Sequence, residues 1–323
     1  MPQDSLRLCL TVVALSGILA GCSSGTTTSA MNPPSRNVSS FAGLNTGTNK
    51  VVYLSSFNGQ PGVGQVFVYS ADLNAHPSAP KRVISQGTVR PYGMWVDSAG
   101  TLYVANIPQG DPTTGITEFH PGQGTPFKTL KLGLWYPTEV AVGADGTVYV
   151  NESLANNCTG DCVAIFAPGS STITRTVPMN FTGYALQADQ MAFDRAGNLL
   201  VGAATFQSGY HIFKMNVKTF KVTELTVDLT NIQGPGLAID HSGNMYVSSA
   251  YTGQIAVFAQ GAESPTRWMT PGAQDLTVTP DGTLYAMTGG GVDEYRPGSS
   301  SPDNSFNEPY YNEGFGIAIG PAQ

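Results

Sequence analysis

Residues Met94 to Val104 read MWVDSAGTLYV, two short apolar strands joined by a turn that ends in glycine. The same arrangement recurs four more times along the chain. The turn glycines follow one another at intervals of 39 to 51 residues, which is typical of four-stranded propeller blades and too long for leucine-rich repeats. The repeat therefore predicts an all-β chain built as a β-propeller. The further copies are Val140 to Val150, Met191 to Val201, Leu237 to Val247 and Leu276 to Ala286.

The first strand of each copy alternates large and small apolar residues, as in Val140-Ala141-Val142. Strands that are buried on both faces read as almost continuous apolar runs. Because blades converge toward the propeller axis, we expect these first strands to be the innermost of each blade. The more polar stretches 127–132 and 221–227 are expected to be outer edges, where lysines discourage pairing with other chains.

Two kinds of turn repeat with the strands. In the first, as in Asp97-Ser-Ala-Gly100, the aspartate caps its own turn and the glycine is expected to adopt a positive φ. In the second, as in Phe119-His-Pro-Gly122, proline followed by glycine suits a type II turn. The stretch that corresponds to it in the fourth blade is Phe213-Lys-Met-Asn216, so Asn216 is expected to replace glycine in the left-handed conformation.

The two ends of the repeat region complement each other. Residues 316–320 (GIAIG) match an innermost strand that has no second strand after it. Residues 51–55 (VVYLS) match a second strand that has no first strand before it. Joined, they complete a sixth blade, so we predict one six-bladed β-propeller over residues 50–323 whose ring is closed by pairing of the N- and C-terminal strands.

Residues 1–21 are predicted to be a lipoprotein signal peptide. The apolar stretch 8–20 is too short to span a bilayer and fits a signal h-region. It ends in Leu19-Ala20-Gly21-Cys22, which resembles the bacterial lipobox, where the signal is cut before the cysteine and the thiol is acylated. The resemblance implies a palmitate-type lipid on Cys22 as a membrane anchor. With Ser23 next to it, the resemblance favours the outer membrane of the cell envelope, on the periplasmic or the surface face.

Residues 22–49 are rich in Ser, Thr, Gly, Asn and Pro and show no periodicity, so we expect them to be a flexible tether.

Once Cys9 has left with the signal and Cys22 is lipidated, Cys158 and Cys162 remain as a close pair in an oxidising compartment. We expect them to form a disulfide, worth on the order of 2 kcal/mol or less because the loop is so short. A metal site would need further ligands nearby, and there is no second cysteine pair and no histidine cluster, so we expect neither metal nor cofactor.

The formal net charge is -7, only 11% of the residues are charged, and there is no basic run. Proteins that bind nucleic acid neutralise phosphates with clustered lysine and arginine. The composition therefore argues against a nucleic-acid partner.

The blades, most clearly residues 91–106 (PYGMWVDSAGTLYVAN), resemble NHL-type repeats and the larger six-bladed superfamily that contains the gluconolactonases. The resemblance covers residues 50–323. It implies the propeller fold but leaves function open, since NHL-like propellers serve as binding scaffolds, amidating lyases and lactonases.

Gluconolactonases hold a divalent metal on Glu, Asn and Asp, each two residues before the first large apolar residue of an innermost strand. Only Asp189 among the corresponding residues is anionic, whereas a hard cation needs several oxygen ligands. A lyase-type metal site would need histidines on the axis, but His120 and His241 fall in blade turns. The residues at the gluconolactonase positions are Tyr92, Thr138, Asp189, Pro235, Gln274 and Phe315.

We therefore predict a lipid-anchored, non-catalytic propeller that acts as a binding or protein-interaction scaffold for an unknown protein or small-molecule ligand. Several aromatic residues precede innermost strands and are expected to cluster around the axis, on what we call the axial face. Packing between blades is the alternative for each aromatic. The alternative function is a metal-dependent hydrolase or lyase of the gluconolactonase-like superfamily with a site near Asp189 at the axis, where Glu139, Glu152 and Glu313 are further candidate carboxylates. The candidate binding residues are Tyr92, Trp135, Tyr136, Tyr184, Asp189, Gln274, Tyr310 and Tyr311.

Overall fold

The computed structural model contains six four-stranded antiparallel sheets arranged as the blades of a β-propeller, so the predicted fold class and blade number are confirmed. Within the part of the chain described, helix is limited to a 3-10 turn at Leu73–Ala75, and no helix there is long and apolar enough to cross a membrane. The predicted signal peptide and tether lie outside the described residues. The described residues are 50–57, 64–75, 79–107, 115–132, 136–153, 162–179, 185–205, 209–232, 234, 236–249, 252–307 and 316–321.

Each blade is a meander whose strands run in order from the axis outward, except that the first blade takes its innermost strand from the C-terminus. The innermost strands of blades 1 to 6 are β24 (Ile317–Pro321), β4 (Pro91–Val96), β8 (Tyr136–Val142), β12 (Ala185–Phe193), β16 (Leu237–Ile239) and β20 (Asp275–Val278). The second strands are β1 (Lys50–Phe57), β5 (Leu102–Asn106), β9 (Val148–Ser153), β13 (Leu199–Thr205), β17 (Met245–Ser249) and β21 (Leu284–Thr288).

The remaining strands complete the blades. The third strands are β2 (Gly64–Ser70), β6 (Gly115–Phe119), β10 (Cys162–Phe166), β14 (Gly209–Met215), β18 (Gln254–Phe258) and β22 (Gly291–Tyr295). The outer strands are β3 (Arg82–Ile84), β7 (Lys128–Lys131), β11 (Arg175–Pro178), β15 (Val222–Glu224), β19 (Arg267–Met269) and β23 (Asn304–Asn307).

The ring closes as the sequence predicts. Strand β24 pairs antiparallel with β1, with Val51 opposite Gly320 and Tyr53 opposite Ala318. The ladder is extended where the Ser55 amide donates a hydrogen bond to the Gly316 carbonyl at 3.0 Å. The first and last strands of the propeller are therefore neighbours in one sheet.

The apolar core is divided among the six blade interfaces. Six clusters of buried apolar residues each join two consecutive blades, including the pair formed by blades 6 and 1. The large and small alternation of the innermost strands fits this division, because successive side chains of a strand point toward opposite neighbouring blades. Each blade is thus buried on both faces by its neighbours.

The glycines of the first kind of turn all adopt the positive φ expected of them, between 78° and 85°. Asp97 shows the capping, since its Oδ1 accepts hydrogen bonds from the amides of Ala99 and Thr101, both at 2.9 Å. In these turns the glycine is required by conformation and the aspartate by the unpaired amides.

The expectation for Asn216 is wrong. The turn of blade 4 is longer than its counterparts, and Phe220, with φ of 58°, takes the left-handed conformation. Asn216 instead caps the start of the turn, where its Oδ1 accepts from the amides of Lys218 at 3.0 Å and Thr219 at 2.9 Å. The Phe220 ring lies under the guanidinium of Arg175 from blade 3, 4.3 Å from the ring centroid, which gives this residue a packing role.

Candidate binding face at the propeller axis

The innermost strands of blades 2, 3 and 4 carry a register irregularity close to their first residues. In blade 3 the extra residue is Thr138, in blade 4 the extra residues are Leu186 and Asp189, and in blade 2 the irregularity covers Tyr92 and Gly93. Bulges bend the strand and redirect side chains, and they occur often at the rims of binding sites. They fall at the positions that the gluconolactonase resemblance singled out.

Directly after these positions, one residue that lies in the innermost strand or immediately before it is buried in all six blades. We call this set the buried ring. It combines three glycines, one amide and two carboxylates, and the carboxylates belong to blades 3 and 6, which are opposite each other in a ring of six. The members of the buried ring are Gly93, Glu139, Gln190, Gly236, Asp275 and Gly316.

Asp275 connects blade 6 to the strand that closes the propeller. Its Oδ1 accepts from the amide of Leu276 at 2.6 Å, and its Oδ2 accepts from the amide of Ile317 in β24 at 2.7 Å. Burial raises the pKa of Asp275 to about 8, although the two backbone hydrogen bonds act in the opposite direction. Burial therefore favours the protonated form of this carboxyl group.

Glu139 makes the corresponding contact between blades 3 and 2. Its Oε1 accepts from the amide of Val140 at 2.9 Å, and its carboxylate lies against the backbone of Gly93, where a Cβ would be only 2.5 Å away. Opposite Glu139 in the ladder is Asn151, which is fully buried. Neither polar atom of the Asn151 side chain has a hydrogen-bond partner among the described residues. Glycine at position 93 is therefore required by the approach of Glu139.

In blades 1 and 5, the backbone N–H of the ring glycine donates a hydrogen bond to a serine of the second strand. The amide of Gly316 donates to Ser55 Oγ at 2.8 Å, and the amide of Gly236 donates to Ser248 Oγ at 2.9 Å. Ser248 in turn donates to the carbonyl of Ala273 in the next blade at 2.8 Å. In these two blades the ring glycine is thus held by a hydrogen bond that its backbone N–H donates to a serine hydroxyl.

The predicted binding residues that the structure describes are Tyr92, Tyr136 and Gln274. Tyr136 is 38% exposed at the start of a strand that is otherwise buried. Tyr92 is buried and packs against Ile107, so its ring contributes to the interior. Gln274 is partly exposed, and its backbone N–H donates a hydrogen bond to the carbonyl of Met287 at 2.7 Å. These residues share one end of the innermost strands.

The structure does not describe the side chains of the remaining predicted residues. Trp135, Tyr184, Tyr310 and Tyr311 lie outside the described residues, and for Asp189 only the backbone is described, within β12. Of the residues predicted to be modified, Cys22 and Cys158 also lie outside them.

Cys162 is the described member of the predicted disulfide. It is buried in β10, and its Sγ lies 3.7 Å from Oε2 of Glu152. Burial raises the pKa of Glu152 to about 7. The pairing of Cys158 with Cys162 stays a prediction.

Asp275 and Gln190 were missed by the sequence analysis, and Asn151 was given no role there. The resemblance to gluconolactonases predicts site residues at the position two before the first large apolar residue of each innermost strand. The signal for the buried ring is one position later, where charged or amide residues interrupt the start of a buried strand. A carboxylate at such a place indicates a structural contact between blades as readily as a ligand.

The described residues contain no group of three His, Cys, Asp or Glu side chains arranged to hold a metal ion. His120 stacks on Phe127 with ring centroids 3.8 Å apart, and His211 Nδ1 lies 2.6 Å from Glu224 Oε1. Of the gluconolactonase positions, Thr138 and Tyr92 are buried.

Solved structures share the fold at low sequence identity. A chain in the crystal structure of a nidogen/laminin complex has a TM-score of 0.63 at 16% identity, covering 85% of this chain and 99% of that one. A protein of unknown function from Bacteroides caccae has a TM-score of 0.62 at 9% identity, with coverages of 84% and 99%. A protein from Lactobacillus plantarum has a TM-score of 0.53 at 14% identity, also with coverages of 84% and 99%. These likenesses show the fold alone.

No protein-family model matches this chain, and no curated protein matches it significantly in sequence.

Proposed function

We propose that this protein is an NHL-like propeller held at the bacterial cell envelope by a lipid on Cys22, and that it binds a ligand or partner protein through its axial face. The propeller fold is consistent with a binding or interaction scaffold. The charge of -7 without a basic run argues for a partner other than nucleic acid.

The observation that carries this proposal is the exposure of Tyr136. Strand β8 is buried from Pro137 to Val142, yet its first residue presents 38% of an aromatic side chain to solvent. Tyrosine is enriched among residues that dominate binding energy, because its ring supplies apolar area and its hydroxyl a hydrogen bond. The bulges in blades 2, 3 and 4 lie at the same end of the innermost strands.

The test is affinity capture from solubilised envelopes with the wild-type chain and Tyr136→Ala as bait. Trp268→Ala is the matched control, because Trp268 is equally exposed at 39% but lies on the outer strand β19. We expect Tyr136→Ala to lose the bound partner or ligand and Trp268→Ala to keep it. Retention of every interaction by Tyr136→Ala would refute the assignment to the axial face.

The anchor is tested separately. Cys22→Ser is expected to move the protein from the membrane fraction to the soluble fraction and to abolish incorporation of labelled palmitate. The lipobox resemblance and the apolar stretch before Cys22 support this expectation. A variant that stayed membrane-bound without label would show that another segment holds the protein there.

A metal-dependent hydrolase or lyase is the second candidate, and the one observation in its favour is the bulged position of Asp189. Elemental analysis of the purified protein distinguishes the two functions. A stoichiometric metal that is lost in Asp189→Ala would favour the enzyme, whereas a metal-free protein that still captures its partner favours the scaffold.

A further inference from the structure

A row of three side chains crosses the second, third and outer strands at matching register in several blades. The row begins with a tyrosine and ends with a cation on the outer strand. Because directly opposed residues of antiparallel strands project from the same face, each cation points toward the next blade. The rows are Tyr53-Val68-Arg82 in blade 1, Tyr103-Glu118-Lys128 in blade 2, Tyr149-Ile165-Arg175 in blade 3 and Tyr246-Val257-Arg267 in blade 5.

In blade 2 the cation is neutralised within its own row. Lys128 Nζ lies 3.2 Å from Oε1 of the buried Glu118, and it also donates to the carbonyl of Ser170 in blade 3 at 3.0 Å. The lysine thereby joins two blades while its charge is balanced.

In blade 3 the middle residue is apolar, and an aromatic ring takes the place of the carboxylate. The guanidinium of Arg175 lies 4.3 Å above the ring of Phe220 in blade 4. In blade 1 Arg82 donates to the carbonyl of Gly122 and hydrogen-bonds Tyr53. Arg175 therefore has an aromatic ring beside its guanidinium group, and Arg82 has a tyrosine beside it.

In blade 5 the middle residue is again apolar, because Val257 occupies the place that Glu118 has in blade 2. Arg267 Nη1 donates to the carbonyl of Ser299 at 3.0 Å, the counterpart of the bond from Lys128 to blade 3. Within the described residues, its Nε and Nη2 groups have no hydrogen-bond partner, and no carboxylate forms an ion pair with it. Among the described residues, Arg267 therefore makes no ion pair of the kind that Lys128 makes with Glu118 in blade 2.

Arg267 lines a cleft of about 460 Å³ between blades 5 and 6. The walls come from Tyr246 and Val257 on one side and from the turns at Pro280 and Pro297 on the other, with the exposed His241 also in the lining. This volume lies within the range of small-molecule sites. The cleft is at the turn ends of the innermost strands, away from the axial face.

We propose that this cleft binds a small organic carboxylate of about monosaccharide size, whose carboxylate pairs with Arg267 in the place that Glu118 has in blade 2. Guanidinium and carboxylate groups match in planar geometry and form strong charge-assisted hydrogen bonds. The proline rings provide apolar surface for the body of the ligand.

Two aspartates in the lining are already engaged. Asp240 Oδ2 accepts from Asn244 Nδ2 at 2.7 Å and from the Tyr246 hydroxyl at 3.0 Å, and Asp281 is ion-paired with Lys50 at 2.8 Å. Blade 2 shows that a carboxylate is accommodated beside such an aspartate. There the Tyr103 hydroxyl donates to Asp97 at 3.2 Å while the same tyrosine is paired with Glu118.

The test is isothermal titration of the full-length chain with glucuronate, with glucose as the neutral analogue and inorganic phosphate as the other anion. We expect saturable binding of glucuronate and none of glucose or phosphate. Arg267→Gln is expected to weaken glucuronate binding about tenfold or more. Val257→Glu is expected to do the same, because its carboxylate would pair with Arg267 as Glu118 pairs with Lys128.

Arg175→Gln is the matched control, since Arg175 has the same place in its row but lies over the Phe220 ring and does not line the cleft. It should bind glucuronate as the wild type does. The proposal is overturned if glucuronate does not bind saturably, if glucose or phosphate binds equally well, or if Arg267→Gln keeps the affinity. Because the cleft is separate from the axial face, Tyr136→Ala should leave glucuronate binding unchanged, so this proposal and the proposed function fail independently.

Discussion

At the scale of single residues, the buried ring shows how one position serves different purposes in six blades. Where the residue is glycine, a serine of the second strand or a neighbouring carboxylate occupies the space above the backbone. Where the residue is Glu139 or Asp275, the side chain itself connects consecutive blades. Substitutions in the ring should therefore change stability in ways that depend on the partner across the interface.

Asp275→Asn should destabilise the fold by about 1 to 3 kcal/mol at pH 5, since the new amide NH₂ would face a backbone N–H. With its pKa raised from 3.8 to about 8, the group is protonated in the folded chain and ionised in the unfolded chain between these values. Its contribution to stability is therefore complete below about pH 4 and declines as the pH rises toward about 8. In urea unfolding from pH 5 to pH 9, the difference in free energy of unfolding between the wild type and Asp275→Asn should therefore become smaller.

The control for this experiment is Glu263→Gln, the replacement of an exposed carboxylate, which should leave the free energy of unfolding unchanged. A constant gap between wild type and Asp275→Asn would contradict the raised pKa.

Gly93→Ala should destabilise the fold by about 1 to 3 kcal/mol, because its Cβ would lie 2.5 Å from the Glu139 carboxylate. Gly124→Ala is the control, since nothing lies within 4 Å of a Cβ there. In a Glu139→Ala background the cost of Gly93→Ala should shrink, and denaturant unfolding of the double-mutant cycle measures this coupling. Additive effects would mean that the backbone at Gly93 is strained for another reason.

At the scale of strands and turns, the sequence predicts what local chemistry determines. The innermost strands and the five capped glycine turns are readable because their apolar alternation and their Asp and Gly residues act within a few positions of one another. The turn of blade 4 was predicted wrongly because it is longer than its counterparts, and Phe220 rather than Asn216 takes the left-handed conformation. Asp275 was missed because its second hydrogen bond reaches β24 in the neighbouring blade, far away in the sequence.

Asn216→Ala should destabilise the blade 4 turn by about 1 to 2 kcal/mol. Its Oδ1 accepts from the Lys218 amide and from both the amide and the hydroxyl of Thr219, and these donors would lose their partner. Lys218→Ala, in the same turn, should be close to neutral, and thermal unfolding of both variants checks the difference. Equal stability of the two would show that water replaces the cap fully.

At the scale of the whole molecule, closure of the ring allows the chain to be reconnected. Lys50 and Pro321 are directly opposed in antiparallel strands, so a short Asn-Gly linker should join them as a hairpin. A circular permutant opened between the exposed Gly289 and Gly290 should then unfold cooperatively in urea, because no blade is interrupted within a strand.

Removal of residues 316–321 from that permutant should abolish cooperative unfolding, because blade 1 would lose its innermost strand. An internal-deletion variant as stable as the permutant would show that the propeller does not depend on β24.

The pairing of β1 with β24 also has a consequence for the time at which the protein can mature. Strand β1 is synthesised before β24, so its inner edge has no neighbour until residues 317–321 have been made and the ring can close. During that interval the edge is able to pair with foreign strands. The first blade is thus begun before the other five and completed only together with them, and a chaperone that shields the edge of β1 over this interval would have its greatest effect there.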